Sequence, residues 1–429
     1  MQQEIYENYI NILKEQLVPA LGCTEPIAIA YAGAKAREVL GEFPQKVVVK
    51  CSGNIIKNVK GVTVPNSGGL KGIDTAALLG IIGGKADMQL EVLESVTDED
   101  RMYLRELLQK DICTCDLVPG TDNLYIDITV YFDNHSAQVV ISDSHTNIIK
   151  IVKDDTVIYD KVNKIAHVEN SAPADKSLLN VKDIIEFANT VNIDDIKPIL
   201  ERQVKCNMAI ASEGIKNKYE ANVGRNLLAL YGEDILPIKA RAMASAASEA
   251  RMSGCSLPVV INSGSGNQGI TTCVPLVVYA QYYNVPEEKM YRALAVSNLL
   301  AIHQKKYIGN LSAFCGAVSA SYACGAAITY MLGGNFNQIA STIINTLGNT
   351  CGIICDGAKP SCAAKISSSL DAALLAHTMS MKGDGFKSGE GIVKDDLEKT
   401  IRAVGYIGKE GMKSTDIEVL NIMIDKVCP

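Results

Sequence analysis

The chain has 429 residues, 47% of them hydrophobic, which suits two domains or one large domain with a smaller one attached. Its formal net charge is -7 and it carries no block of Lys and Arg, which argues against nucleic acid or an anionic membrane as partner. The first twenty residues have neither a basic n-region nor a pure apolar h-region, so no secretory signal is visible and a cytoplasmic protein is expected. Its 13 cysteines are then reduced, and each is a small buried hydrophobe, a metal ligand or a reactive thiol.

In chain order, apolar residues at helical spacing predict an amphipathic opening helix. An Ala-rich helix is predicted over 26–40, closed by Gly41, and a strand over 46–51 (KVVVKC). Helices follow over 70–82 and 97–110, the second with Thr97 as N-cap and acidic residues in its first turn. Alternating apolar and polar residues at 124–132 and 136–142, around Asp133-Asn134, predict a β-hairpin. A second hairpin is predicted over 148–152 and 156–159 around Asp154-Asp155.

Beyond about residue 180 the strand signal fades, and helices are predicted over 181–190, 238–252, 271–283, 287–302, 311–332, 336–347 and 360–379. The expected fold class is α+β. A mixed α/β domain with hairpins, 1–175, precedes a mostly helical domain, 176–429, with the boundary in the small, polar and Pro-containing stretch 165–180. The run 311–332 carries no charge over 22 residues and is long enough to span a bilayer. It is mostly Ala, Gly, Ser and Cys, which gain little in lipid, so a helix buried at the centre of the protein is expected instead.

Three features carry chemistry. The loop Asn262-Ser263-Gly264-Ser265-Gly266-Asn267 follows a short apolar run and opens a helix. Amide groups at a helix N-terminus, with Ser and Asn donors beside them, suit a carboxylate. Without a Gly-Lys-Ser/Thr ending the loop does not suit a nucleotide phosphate. Asn66-Ser67-Gly68-Gly69 is a weaker echo of the same pattern. Leu21-Gly22-Cys23-Thr24-Glu25-Pro26 has Thr24 as a natural N-cap, which sets Cys23 beside a helix N-terminus. A helix dipole there favours a thiolate of lowered pKa.

The third feature is the set Cys315, Cys324, Cys351, Cys355 and Cys362. Nine helical residues turn about 900°, so Cys315 and Cys324 point to opposite faces. The turn at Asp356-Gly357 and the helix start at Pro360 give Cys355 and Cys362 a shared loop. The geometry of Cys351 stays open, and this spacing by itself does not establish a metal site.

The segments LGCTEPIAIAYAGAKAREVLG (21–41), CSGNIIKNVKGVTVPNSGGLKGI (51–73), NSGSGNQGI (262–270), YIGNLSAFCGA (307–317) and GIICDGAKPSCAAK (352–365) together resemble the L-cysteine desulfidase family. That family is related to the α chain of iron–sulfur L-serine dehydratases. The resemblance implies a 4Fe–4S cluster held by Cys315, Cys355 and Cys362, with one iron left open to substrate. It implies Cys23 as the catalytic base. Thr24, Glu25, Asn66, Ser67 and the loop residues 262–267 become candidates for binding the substrate, L-cysteine. The activity implied is β-elimination of sulfide without pyridoxal phosphate, giving pyruvate and ammonia. Lys71, Lys305, Lys306, His303 and His377 are read as solvated or structural. The alternatives are an L-serine dehydratase of the same cluster type, a non-catalytic iron–sulfur redox sensor and, more remotely, a small-solute membrane transporter. No membrane or nucleic-acid partner is expected. The sequence does not give the oligomeric state, with a homodimer the assembly anticipated.

Overall fold

Six strands form one sheet in a computed structural model that describes residues 1–161, 163, 173–309, 311–424 and 426. In chain order the strands of the protein are β1 (Pro19–Ala20), β2 (Lys46–Cys51), β3 (Cys113–Leu117), β4 (Tyr125–Phe132), β5 (His135–Ser142), β6 (Ile148–Lys153), β7 (Thr156–Asp160) and β8 (Val259–Val260). The large sheet runs β3-β2-β4-β5-β6-β7, with β2 and β3 parallel and every other pair antiparallel. Both predicted hairpins are present, and Asp133, Asp154 and Asp155 take the positive φ that tight turns require. Strand β3 was not anticipated. Its residues CTCDL are short and mostly exposed, so they carry no clear period.

The helix Thr24–Leu40 crosses β4 and β5 on one face of this sheet. It ends at Gly41 with φ 86°, as predicted. It packs closely on the helix Ile73–Gly83, because a Cβ on Gly80 would stand 2.1 Å from the Ala30 carbonyl oxygen. The helix Asp98–Gln109 opens on Thr97 with a reciprocal capping box to Asp100.

The C-terminal half is helical, and the architecture is α+β as expected. At its centre lies Gly316–Met331, whose residues from Ala317 to Thr329 are all buried. Small side chains let the helices Glu287–Ile308, Gly266–Tyr282, Phe336–Thr350 and Cys362–Met381 pack around it. The predicted helix over 311–332 is thus shortened to 16 residues. Residues 313–315 leave it because they pair with 353–355 instead. Among the described residues no helix is long and apolar enough to cross a membrane. Much of the predicted boundary stretch 165–180 lies outside the described residues.

One small contact matters most for the site. β1 pairs antiparallel with β8, Pro19 opposite Val260 and Ala20 opposite Val259. The chain following each strand, 21–25 and 261–267, is thereby delivered to the same place.

Candidate active site

A cavity of about 180 Å³ is lined from both halves of the chain. Its walls include Cys23, Thr24, Glu25, Ser263, Gly264, Ser265, Asn267, Cys315, Cys355 and Cys362, all anticipated from the sequence. Asn58, His145, Arg251, Gln268 and Lys305 line it too.

Cys23 is the N-cap of the helix Thr24–Leu40, a place the sequence assigned to Thr24. Thr24 is instead the first helical residue, and its Oγ1 donates to the Gly264 carbonyl at 2.8 Å, tying the two segments together. Gly22 takes φ 48°, and a side chain there would collide with Pro65. The thiol of Cys23 donates to Glu25 Oε2 at 2.9 Å. The expected thiolate of low pKa is overturned. Burial, then the charge of Glu25, raise the Cys23 thiol well above its ordinary range, against the pull of Arg251. A helix dipole, about half a charge, does not offset full burial.

Glu25 is the ionised member of this pair. Burial raises its pKa, but the His145 ring and the Cys23 thiol bring it down to about 2. His145 Nε2 stands 3.7 Å from Glu25 Oε1, near enough for charge attraction and too far for a hydrogen bond. That nitrogen is buried without a hydrogen-bond partner. Asn58 donates to the same carboxylate oxygen at 3.4 Å.

The loop opening the helix Gly266–Tyr282 is held from below. Asn262 is fully buried and donates to Asn298 Oδ1 at 2.9 Å, while Asn298 donates to Gln203 at 2.8 Å. Asn207 donates to the Gly269 carbonyl at 3.0 Å. Ser263 and Gly264 have φ of 49° and 79°. A side chain on Gly264 would crowd the His145 ring, and one on Gly266 would meet the Arg251 guanidinium. Asn262 and Gly266 therefore support the wall without lining the cavity. Asn66 and Ser67 lie elsewhere. Asn66 donates to the Leu93 carbonyl at 2.9 Å, and Ser67 closes its own turn onto Leu70.

The cysteine wall rests on the bridge between Phe314 and Ile354. Cys315 donates its N–H to Ile353 and Cys355 donates to Ala313, so both side chains leave the same face of that bridge. Cys362 begins the helix Cys362–Met381, and its Sγ lies 3.6 Å from the Gly357 carbonyl. Gly357, φ 92°, lies against the backbone of Lys57, where a Cβ would collide. Asp356 binds both Lys359 and Lys365, which fastens the Cys355 turn to the helix behind it. Cys324 is buried away from the cavity, and Cys351 caps the helix Phe336–Thr350 without lining it.

These three cysteines fit an iron–sulfur cluster. Burial, then the neighbouring Cys355 and Cys362, push the Cys315 thiol up to about 12, and burial raises Cys362 as well. Such thiols are costly to ionise unless metal replaces the proton. Lys305, fully buried, is held down to about 8 by burial while Cys355, Cys315 and Glu25 draw it back up. Its cation would offset the thiolate charge of cysteines bound to a cluster. Among the described residues no three His, Cys, Asp or Glu side chains converge closely enough to hold a single ion. A cubane does not need that convergence, since each cysteine binds a different iron.

His145 and Arg251 escaped the sequence reading. His145 is in the turn between β5 and β6, and Arg251 is near the end of the Ala-rich helix Leu236–Met252. Two charges, Glu249 and Arg251, within the small-residue run ASAASEARM were the one local sign. Lys305 belongs to the cavity, whereas Lys71 pairs with Glu220 and Lys306 donates to the Leu179 carbonyl. His303 pairs with Glu398 at 2.8 Å and His377 with Thr329 at 2.9 Å, both structural as expected.

The profile of the serine dehydratase alpha chain matches residues 87–421. That span holds all three cavity cysteines of the C-terminal half but not Cys23. A UPF0597 protein of Lachnoclostridium phytofermentans is 52% identical over 98% of this chain and 100% of its own length. One of Treponema denticola is 49% identical over 98% of each chain, and one of Aeromonas hydrophila 40% over 97% of this chain and 96% of its own. With the cavity cysteines inside the matched span, the chain belongs to the serine dehydratase alpha-chain family, a family of lyase type.

Proposed function

We propose that this protein is a pyridoxal-phosphate-independent lyase that β-eliminates sulfide from L-cysteine, yielding pyruvate, ammonia and hydrogen sulfide. One observation carries the reading: Cys23 and Glu25 face Cys315, Cys355 and Cys362 across a single cavity. The sheet-bearing part, 1–175, supplies the proton-handling groups, and the helical part, 176–429, the ligands of a 4Fe–4S cluster. When bound, that cluster supplies a Lewis-acidic iron that polarises the departing β-substituent.

The chain's own groups do the rest. The loop 263–267 forms the wall against which the substrate carboxylate rests. Cys23 takes the Cα proton. Its resting proton, held toward Glu25 at 2.9 Å, has to leave the thiol before the Cα proton arrives, and the charge of Arg251 favours the resulting thiolate. His145, on the far side of Glu25, stabilises that carboxylate between turnovers. Sulfide departs, and the aminoacrylate hydrolyses to pyruvate and ammonia.

The second reading is L-serine dehydration at the same site, favoured by the name of the matched family. Anaerobic reconstitution with iron and sulfide, followed by assay of pyruvate and sulfide from L-cysteine and of pyruvate from L-serine, separates the two. Reconstituted protein is expected to be brown and to release sulfide from L-cysteine. Cys315→Ala, Cys355→Ala and Cys362→Ala should each lose cluster iron. Unchanged iron content in all three variants, or no turnover of either amino acid, would refute the assignment.

A further inference from the structure

Arg251 is a buried cation in search of an anion. Its side chain is 2% exposed, yet no carboxylate among the described residues forms an ion pair with it. Nε donates to the Gly22 carbonyl at 2.7 Å, and Nη1 donates to Asn267 Oδ1 at 3.0 Å. Nη2 donates to no group among the described residues. Glu249, two residues before Arg251, accepts from the amides of Ala221, Asn222 and Val223, while Glu25, whose charge reaches Arg251 through space, is hydrogen-bonded to Cys23. Burying a guanidinium without a directly bonded counter-charge is costly in general, so the arrangement makes sense if a ligand completes it.

Two further observations aim this cation at a ligand. Gly266 leaves its α-carbon bare against the guanidinium, where a Cβ would come within 2.3 Å of Nε. The loop that sequence reading assigned to a carboxylate therefore lies directly over Arg251. Gln268, 2% exposed and on the same cavity wall, keeps its Oε1 buried with no hydrogen-bond donor. The site thus holds a cation with an unused N–H edge and, among the residues lining the same cavity, an unused acceptor.

We propose that Arg251 is the carboxylate anchor of the substrate and that Gln268 Oε1 accepts from its α-ammonium group, so that the cavity selects free α-amino acids. This rests on the lyase reading above and supplies its specificity. The loop amides shape the carboxylate site, while Arg251 brings the full positive charge they lack. An acid with an uncharged carboxyl group or without the amino group leaves one of the two buried groups unpaired, which is the stronger form of discrimination.

The test compares binding of L-cysteine, L-cysteine amide and 3-mercaptopropionate to anaerobically reconstituted protein, by calorimetry alongside steady-state kinetics and iron content. Wild-type protein should bind L-cysteine roughly 10- to 100-fold better than the amide. Arg251→Gln should erase that preference, mainly by raising KM, with iron content unchanged. Arg251→Lys should recover part of it, and Gln268→Leu should erase the preference over 3-mercaptopropionate alone. If wild-type protein binds no amino acid, the lyase reading falls and this proposal with it. If amino acids are turned over but the wild type does not discriminate against the amide, or Arg251→Gln keeps the preference, only the anchor is wrong. Loss of iron in Arg251→Gln with the preference intact would instead make Arg251 a partner of the cysteine wall. Should Arg251→Gln not fold, the wild-type comparison with the amide still decides.

Discussion

Two loops in this protein share Asn-Ser-Gly and a closing Gly-Ile, at 66–73 and at 262–270, and they do different work. The second lines the cavity and lies over Arg251. The first lies outside it, closed on itself through Ser67 and on Leu93 through Asn66, while Pro65 beside it fills the space next to Gly22. Loop chemistry is thus shared, and what separates the two is their surroundings. The short pairing of β1 with β8 carries the second loop to Cys23, Glu25 and a buried guanidinium. The first meets Arg101, which already pairs with Asp98.

The sharpest way to break this contrast is at the residue that the second loop meets. Cys23→Ala should lower turnover by about 10²- to 10⁴-fold and leave iron content intact. Full turnover would remove Cys23 from proton transfer and leave the loop without a catalytic neighbour.

The next largest effect is one of pH. The folded-state pKa of Glu25, about 2, lies below its ordinary value of 4.5. Its contribution to stability is therefore fully present above about pH 4.5 and is lost as the pH falls toward 2. In cluster-free protein, wild type and Glu25→Gln should differ in urea midpoint near neutral pH, by on the order of 1–3 kcal/mol, and converge in acid. A difference that does not change with pH would mean Glu25 is not the charged member of its pair.

The finest contrast lies in two glycines. A Cβ on Gly269 would stand 2.1 Å from the Val260 carbonyl oxygen, so Gly269→Ala should displace β8 and the loop, costing about 1–3 kcal/mol and lowering turnover. Gly69 has open space around it but φ 91°, so Gly69→Ala should cost about 1–2 kcal/mol in stability alone. Thermal melts and kcat measured on both variants check this. Equal losses of kcat would erase the distinction between the loops.

Much of the fold was legible where local rules dominate. The N-cap at Thr97, the closing glycine after Leu40 and the turns of both hairpins are set by near neighbours, and each stands where its residues predicted. Legibility failed where partners come from far along the chain. The apolar run from 311 is helical only from Gly316, because residues 313–315 find strand partners at 353–355. Thr24, a good cap by type, turns its hydroxyl to Gly264, 240 positions away. Cys23 is protonated at rest because burial and a carboxylate outweigh the helix dipole.

By itself, the sequence determined that this is an acidic α+β chain with a Gly-rich loop at a helix start, Cys23 beside another helix start and a set of C-terminal cysteines. These depend on residue type and short spacing. Only the tertiary structure decided which of two similar loops faces the cavity, which of five cysteines line it, and that His145, Arg251 and Lys305 join them. The physical reason is that charge and burial act through space. A guanidinium is unremarkable within ASAASEARM, and it becomes a candidate anchor only when folding removes it from water and leaves it with no carboxylate bonded to it among the described residues.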